Sequence, residues 1–137
     1  MVKFLSAILL ILIFVLPSCD PDIWDISCEN CYSVKPKEGL LEIDLTVNIN
    51  NQNIPIQIYL KTGKVEELYL HDTVSSSYVE YWVPVGFKYR VEATYKTGDK
   101  TVIAIDQDKV DLRYDDSSCD EPCWRADDGQ IDCQLYY

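Results

Sequence analysis

A single histidine, a single methionine, five glycines, and 12 Lys+Arg set against 23 Asp+Glu are the chain's main shortages. With one imidazole, His71, histidine-rich metal sites and most histidine-dependent catalytic groups cannot be assembled. A net charge of −11 leaves no basic footprint for a phosphate backbone, so nucleic acid is excluded as a partner. The same sign disfavours electrostatic attachment to anionic lipid headgroups. What is plentiful is apolar and aromatic side chains, 47% and 12% of the 137 residues, enough for one domain with a real core.

Long apolar runs are also scarce, and the one present is informative. Phe4 to Leu16 follows Lys3 and is broken only by Ser6 and Ala7. As a helix it rises about 20 Å, short of the ~30 Å hydrocarbon core, so it reads as a signal peptide rather than a span. No second span follows. The run ends in Leu16-Pro17-Ser18-Cys19, with leucine three positions before a cysteine and a small serine immediately before it. This resembles the lipobox of bacterial lipoproteins, which implies cleavage before Cys19 and lipid attachment to it. The expected division is therefore a lipoprotein signal peptide over 1–18, a lipid anchor and tether over 19–36, and a β-sandwich domain over 37–137. Removing residues 1–18 takes Lys3 away and leaves the chain still more acidic. Asp20, Asp22 and Asp25 resemble the acidic surface-export signal of lipoproteins in some Gram-negative lineages, although aspartate directly after the cysteine retains lipoproteins at the inner membrane in others. The expected location is the cell envelope, lipid-anchored, at the outer membrane or cell surface rather than the inner membrane.

Beyond the tether the chain alternates with period two. Leu41, Ile43, Leu45, Val47 and Ile49 share one face of a strand over 41–49, and Glu42, Asp44, Thr46 and Asn48 share the other. After the polar turn Asn50-Asn51-Gln52-Asn53, Ile54, Ile56, Ile58 and Leu60 repeat the pattern. Further strands are expected near 65–71, 78–83, 87–96, 101–106 and 109–114, with a last short one over 130–136. Thr62-Gly63-Lys64, Pro84-Val85-Gly86, Thr97-Gly98-Asp99 and Asp106-Gln107-Asp108 supply the turns. Seven or eight strands at this spacing predict an all-β, antiparallel β-sandwich with cysteine-rich N- and C-terminal segments. Ile43, Leu45, Val47, Ile56, Ile58, Val91 and Ile103 are the expected core. The stretch from Val83 to Ala93, with Pro84, Gly86, Tyr89 and Val91 at their spacings, resembles the strand entry of transthyretin-like and carboxypeptidase-regulatory-like sandwiches. The architecture implied is Ig-like or transthyretin-like.

None of the six cysteines falls within the strands expected between 40 and 114; they bracket that part of the sandwich. In an oxidising compartment they are read as disulfides, with the segment of Cys28 and Cys31 meeting that of Cys119, Cys123 and Cys133. If Cys19 is lipidated, five thiols remain, giving at most two bridges and one leftover; if it is not, six thiols allow three bridges in 15 connectivities. Redox catalysis at Cys28-Glu29-Asn30-Cys31 is disfavoured because Glu29 opposes thiolate formation and no βαβ unit surrounds it. Zinc is disfavoured because exported cysteine oxidises, so no metal and no cofactor are assigned.

The remaining chemistry is sparse. The carboxy-terminal acids, from Asp106 to Asp132, miss the calcium-loop spacing and read as a solvated surface. No feature selects a glycosidase pair among the 23 acids, and His71 with Asp72 and the serines at 75–77 forms no nucleophile elbow. The alternation points Tyr59, Tyr69 and Trp82 away from the core, where they would make a binding surface for a sugar ring or a protein. The expected function is a membrane-anchored, non-catalytic lipoprotein that binds a glycan or protein partner at the envelope. The alternative is a structural or assembly subunit of an envelope complex, followed by a small enzyme or metal-binding protein.

Overall fold

The structure, a computed structural model, describes Cys28, residues 31–117 and residues 119–136. The expected signal peptide and Cys19 lie outside these. Eight strands follow in order: β1 (Glu38–Leu45), β2 (Ile54–Thr62), β3 (Val65–Val74), β4 (Tyr78–Pro84), β5 (Phe87–Thr97), β6 (Lys100–Asp115), β7 (Cys123–Asp127) and β8 (Gly129–Cys133). They form a three-stranded sheet, β4-β1-β8, and a five-stranded sheet, β3-β2-β5-β6-β7. The all-β, two-sheet class expected from the alternation is the one found. One pair departs from a purely antiparallel scheme: β1 and β8 run parallel, from Leu41 opposite Gly129 to Leu45 opposite Cys133. Among the described residues no helix is long and apolar enough to cross a membrane.

The core follows from alternation on three strands. Leu41, Ile43 and Leu45 on β1 point inward against Ile54, Ile56 and Ile58 on β2, with Tyr89, Val91, Ala93 and Tyr95 from β5 completing the layer. Full burial of each such aliphatic side chain is worth about 1.5–3 kcal/mol relative to exposure. Both buried tyrosines keep a partner for the hydroxyl. Tyr89 donates to the carbonyl of Pro84 at 2.7 Å, and Tyr95 donates to that of Cys133 at 2.7 Å while accepting from the Thr46 N–H at 3.2 Å.

The turns are made by glycine where handedness requires it. Gly63 and Gly98 sit at φ 62° and 60°, and among the described residues no non-glycine has positive φ, so each of these two-residue hairpin loops has glycine alone in the first central position. That is the type II′ pattern, whose twist matches the flanking strands.

Several boundaries and faces differ from the expectation. β1 stops at Leu45 because its next N–H, on Thr46, turns to Tyr95; Val47 is 36% exposed and does not enter the core. Asp106-Gln107-Asp108 is not a turn. Lys100–Asp115 is one sixteen-residue strand paired with β5 from Thr97 opposite Lys100 to Phe87 opposite Val110. On that strand the inward positions are Ala104, Asp106, Asp108 and Val110, so Ile103, expected in the core, is 53% exposed. The inward carboxylates secure β8 instead. Gln130 N–H donates to Asp108 Oδ2 and Asp132 N–H to Asp106 Oδ2, both at 2.8 Å. Two aspartates at i and i+2 thus hold the outer edge of β8, an arrangement that hydrophobic alternation cannot report. β7, absent from the expected strands, pairs with the far end of β6 from Asp111 opposite Asp127 to Asp115 opposite Cys123.

Candidate functional site

The cysteine-linked end is built from two segments far apart in sequence. Cys28 is bonded to Cys119 and Cys31 to Cys123, with Cα–Cα separations of 6.0 and 5.4 Å, inside the usual disulfide range. Next to the bridges, Tyr32 and Trp124 exchange both backbone hydrogen bonds, at 2.9 and 2.8 Å, so the incoming chain is laid alongside β7. Trp124 packs against Tyr114 with ring centroids 5.0 Å apart and lies under the Lys35 ammonium at 5.2 Å. Cys133 is not a bridge partner. It ends β8 as a fully buried free thiol, and burial pushes its pKa up to about 12, so it is inert as a nucleophile in the folded chain.

Laying Tyr32 beside β7 creates a groove. Its walls are Tyr32, Trp82 of β4, Glu38, Gly39 and Leu40 at the start of β1, and Ala126 with Asp128 near the β7–β8 junction; its volume is about 220 Å³. Trp82 stands directly across from Leu40 in the β1–β4 ladder and is 63% exposed, while Tyr32 is 46% exposed. Asp128 is tied in place by the Leu40 N–H, which donates to its Oδ1 at 3.0 Å. Gly39 permits this close assembly: a Cβ there would lie 2.7 Å from Val110 Cγ1 and 3.3 Å from Val85 Cγ1. The groove joins two aromatic rings and two carboxylates. It falls below the ~300–1,000 Å³ that encloses a small ligand, and so suits contact with part of a larger chain.

A second recess of about 230 Å³, lined by Arg113, Tyr114, Asp115, Asp116, Ser117 and Arg125, is chemically quieter. Arg113 pairs with Asp127, and Arg125 lies 3.8 Å from Asp115, so both guanidinium groups already have carboxylate partners.

The three aromatics expected to share a surface do not. Tyr59 lies on the outer face of the five-stranded sheet, under the Arg90 guanidinium at 4.3 Å, with its hydroxyl donating to Gln57 at 2.9 Å. Trp82 belongs to the outer face of the other sheet. Tyr69 is turned by an irregularity between Ile58 and Tyr59, where pairing jumps from Leu70 to Leu68; its ring meets buried Tyr89 edge-on at 6.0 Å. Of the three, Trp82 lines the groove described above. Tyr32, Glu38, Leu40 and Asp128 were missed because their convergence depends on the disulfide-guided path of the N-terminal segment, which period-two patterning does not contain. His71 lies on β3 opposite Gln57, and its neighbour Asp72 is engaged elsewhere. The Tyr81 hydroxyl donates to Asp72 at 2.8 Å and the Thr73 N–H at 2.7 Å, which together hold its carboxyl below the usual carboxylate range.

No protein-family model, curated protein or solved structure matches the chain.

Proposed function

We propose that the chain is a lipid-anchored, non-catalytic envelope lipoprotein whose sandwich presents the Trp82–Tyr32 groove to a glycan. The observation that carries this reading is the groove itself: two exposed rings line it together with Leu40 and the acidic residues Glu38 and Asp128. Aromatic faces stack on the apolar faces of sugar rings at low conformational cost, and carboxylates accept hydrogen bonds from sugar hydroxyls. A small, open groove suits one unit of a longer glycan chain.

The anchor and the groove are coupled. Lipid on Cys19 would leave eight residues before the first bridge, at Cys28, so the tether reaches at most about 30 Å before it meets the folded domain. Tyr32 follows the second bridge at Cys31 by one residue, so the groove would work close to the membrane surface, at the outer membrane or cell surface. More than one acyl chain gives firm anchoring.

The test has two arms. In a lipoprotein-competent bacterium the chain should partition into the detergent phase, and Cys19→Ala should release it or block its processing; equal retention of the variant contradicts the anchor. The immobilised mature domain should retain oligosaccharides released from bacterial envelopes. Retention of envelope proteins alone would favour an assembly role instead, through β3, which among the described residues is paired only with β2 and exposes Val65 and Leu68.

A further inference from the structure

The two bridges are parts of one sulfur cluster. The Sγ atoms of Cys31, Cys119 and Cys123 all lie within 4.8 Å of one another, and Cys28 Sγ is bonded to that of Cys119. Four sulfurs from two segments therefore meet at one place. We propose that, with both bridges reduced, these four cysteines form a zinc site that clasps the same two segments the disulfides join.

The spacing fits the ion. Cys28-x-x-Cys31 and Cys119-x-x-x-Cys123 are two ligand pairs of the kind that structural zinc sites use, with two to four residues between ligands. Zinc bound to four thiolates at about 2.3 Å places neighbouring sulfurs about 3.8 Å apart, a spacing that the three mutually close sulfurs already approach, while Cys28 Sγ, once released from Cys119, has to swing toward them. The frame that brings the pairs together is independent of the sulfurs: Tyr32 and Trp124, each one residue beyond a bridged cysteine, are held by two backbone hydrogen bonds. Cys133 takes no part, since it is sealed in the core at the end of β8.

The chemistry balances with a dithiol reductant. Two dithiols are oxidised to their cyclic disulfides as the Cys28–Cys119 and Cys31–Cys123 bonds break, which yields four thiols. One zinc ion then displaces four protons, giving a tetrathiolate of net charge −2. Oxidised, the clasp is covalent; reduced and loaded, it is metallic.

The full chain, reduced anaerobically with an excess of a phosphine that does not itself compete for the metal, is titrated with cobalt(II) and then zinc. The expected result is cobalt–thiolate absorption that saturates at one metal per chain, is bleached by one equivalent of zinc, and is unchanged in Cys133→Ser. Cys28→Ser and Cys123→Ser should each weaken binding at least about tenfold. The disulfide-bonded chain should bind no zinc through sulfur. No thiolate absorption in the reduced chain overturns the proposal, folded or not, and so does absorption that survives the Cys31→Ser, Cys123→Ser double variant. Neither outcome bears on the glycan reading, which is tested on the oxidised protein.

Discussion

The two sheets of this sandwich are closed by different kinds of bond. In the five-stranded sheet, β5 and β6 share eleven consecutive residue pairs, and backbone ladders carry the whole join. The three-stranded sheet ends at β8, whose outer edge is held instead by side chains: Asp106 and Asp108 take the N–H groups of Asp132 and Gln130. An unpaired strand edge invites pairing with another chain, and here carboxylates blunt it from within the same molecule. The lesson is that an acidic surface can be a structural seam. Backbone ladders are made by main-chain groups that every residue but proline supplies, whereas this seam depends on a particular carboxylate at a particular position.

The comparison predicts a graded set of losses. Leu45, fully enclosed between the sheets, should be the costliest, with Leu45→Ala destabilising by about 2–5 kcal/mol in denaturant melts. A loss under ~1 kcal/mol would mean that the two sheets do not pack as described. Gly39→Ala comes next: the added methyl meets the γ-methyls of Val110 and Val85, β-branched side chains with little freedom to rotate away, so overpacking should cost about 1–3 kcal/mol although only one carbon is added. The seam follows. Asp106→Ala and Asp108→Ala should each cost about 0.5–1.5 kcal/mol and speed hydrogen exchange at Asp132 and Gln130 respectively, while Gln107→Ala between them changes stability by less than ~0.5 kcal/mol. Equal effects at all three positions would dissolve the contrast between the sheets.

The smallest effect is with pH. Asp72, Asp111 and Asp132 are held below the usual carboxylate range, chiefly by the Tyr81 hydroxyl, Lys109 and the Tyr136 hydroxyl respectively. A carboxyl depressed in the folded state contributes stability that is fully present above its ordinary value near 3.8 and is lost as pH falls through the folded value. Melts should therefore weaken below about pH 4, and Asp72→Asn should flatten part of that decline. An unchanged acid limb in the variant would remove Asp72 from the account.

The five-stranded sheet was the more legible one. Ile54, Ile56 and Ile58 announce β2 and its inward face, and Thr62-Gly63-Lys64 and Thr97-Gly98-Asp99 mark real hairpins. The alternation on β6 misled because its inward positions change from the core to the seam. Ala104, Asp106 and Asp108 face inward toward β8, so the apolar Ile103 and Ile105 fall on the solvent side and carry the wrong message. The link between the two end segments was readable from where the cysteines stand, on either side of the long strands, an argument that needs no register. Only Trp82 of the groove was readable, from strand parity; Tyr32 and Asp128 arrive through long-range pairing and a loop contact that no local pattern encodes.

The claim that matters most is that Trp82 binds and does not support the fold. Titrating the most strongly retained envelope oligosaccharide into the mature domain and its Trp82→Ala variant, each with a thermal melt, tests this directly. The account predicts at least a tenfold loss of affinity, about 1.4 kcal/mol, with stability within ~0.5 kcal/mol of the parent and Tyr59→Ala binding as the parent does. Undiminished binding by Trp82→Ala, or equal loss on Tyr59→Ala, would contradict it.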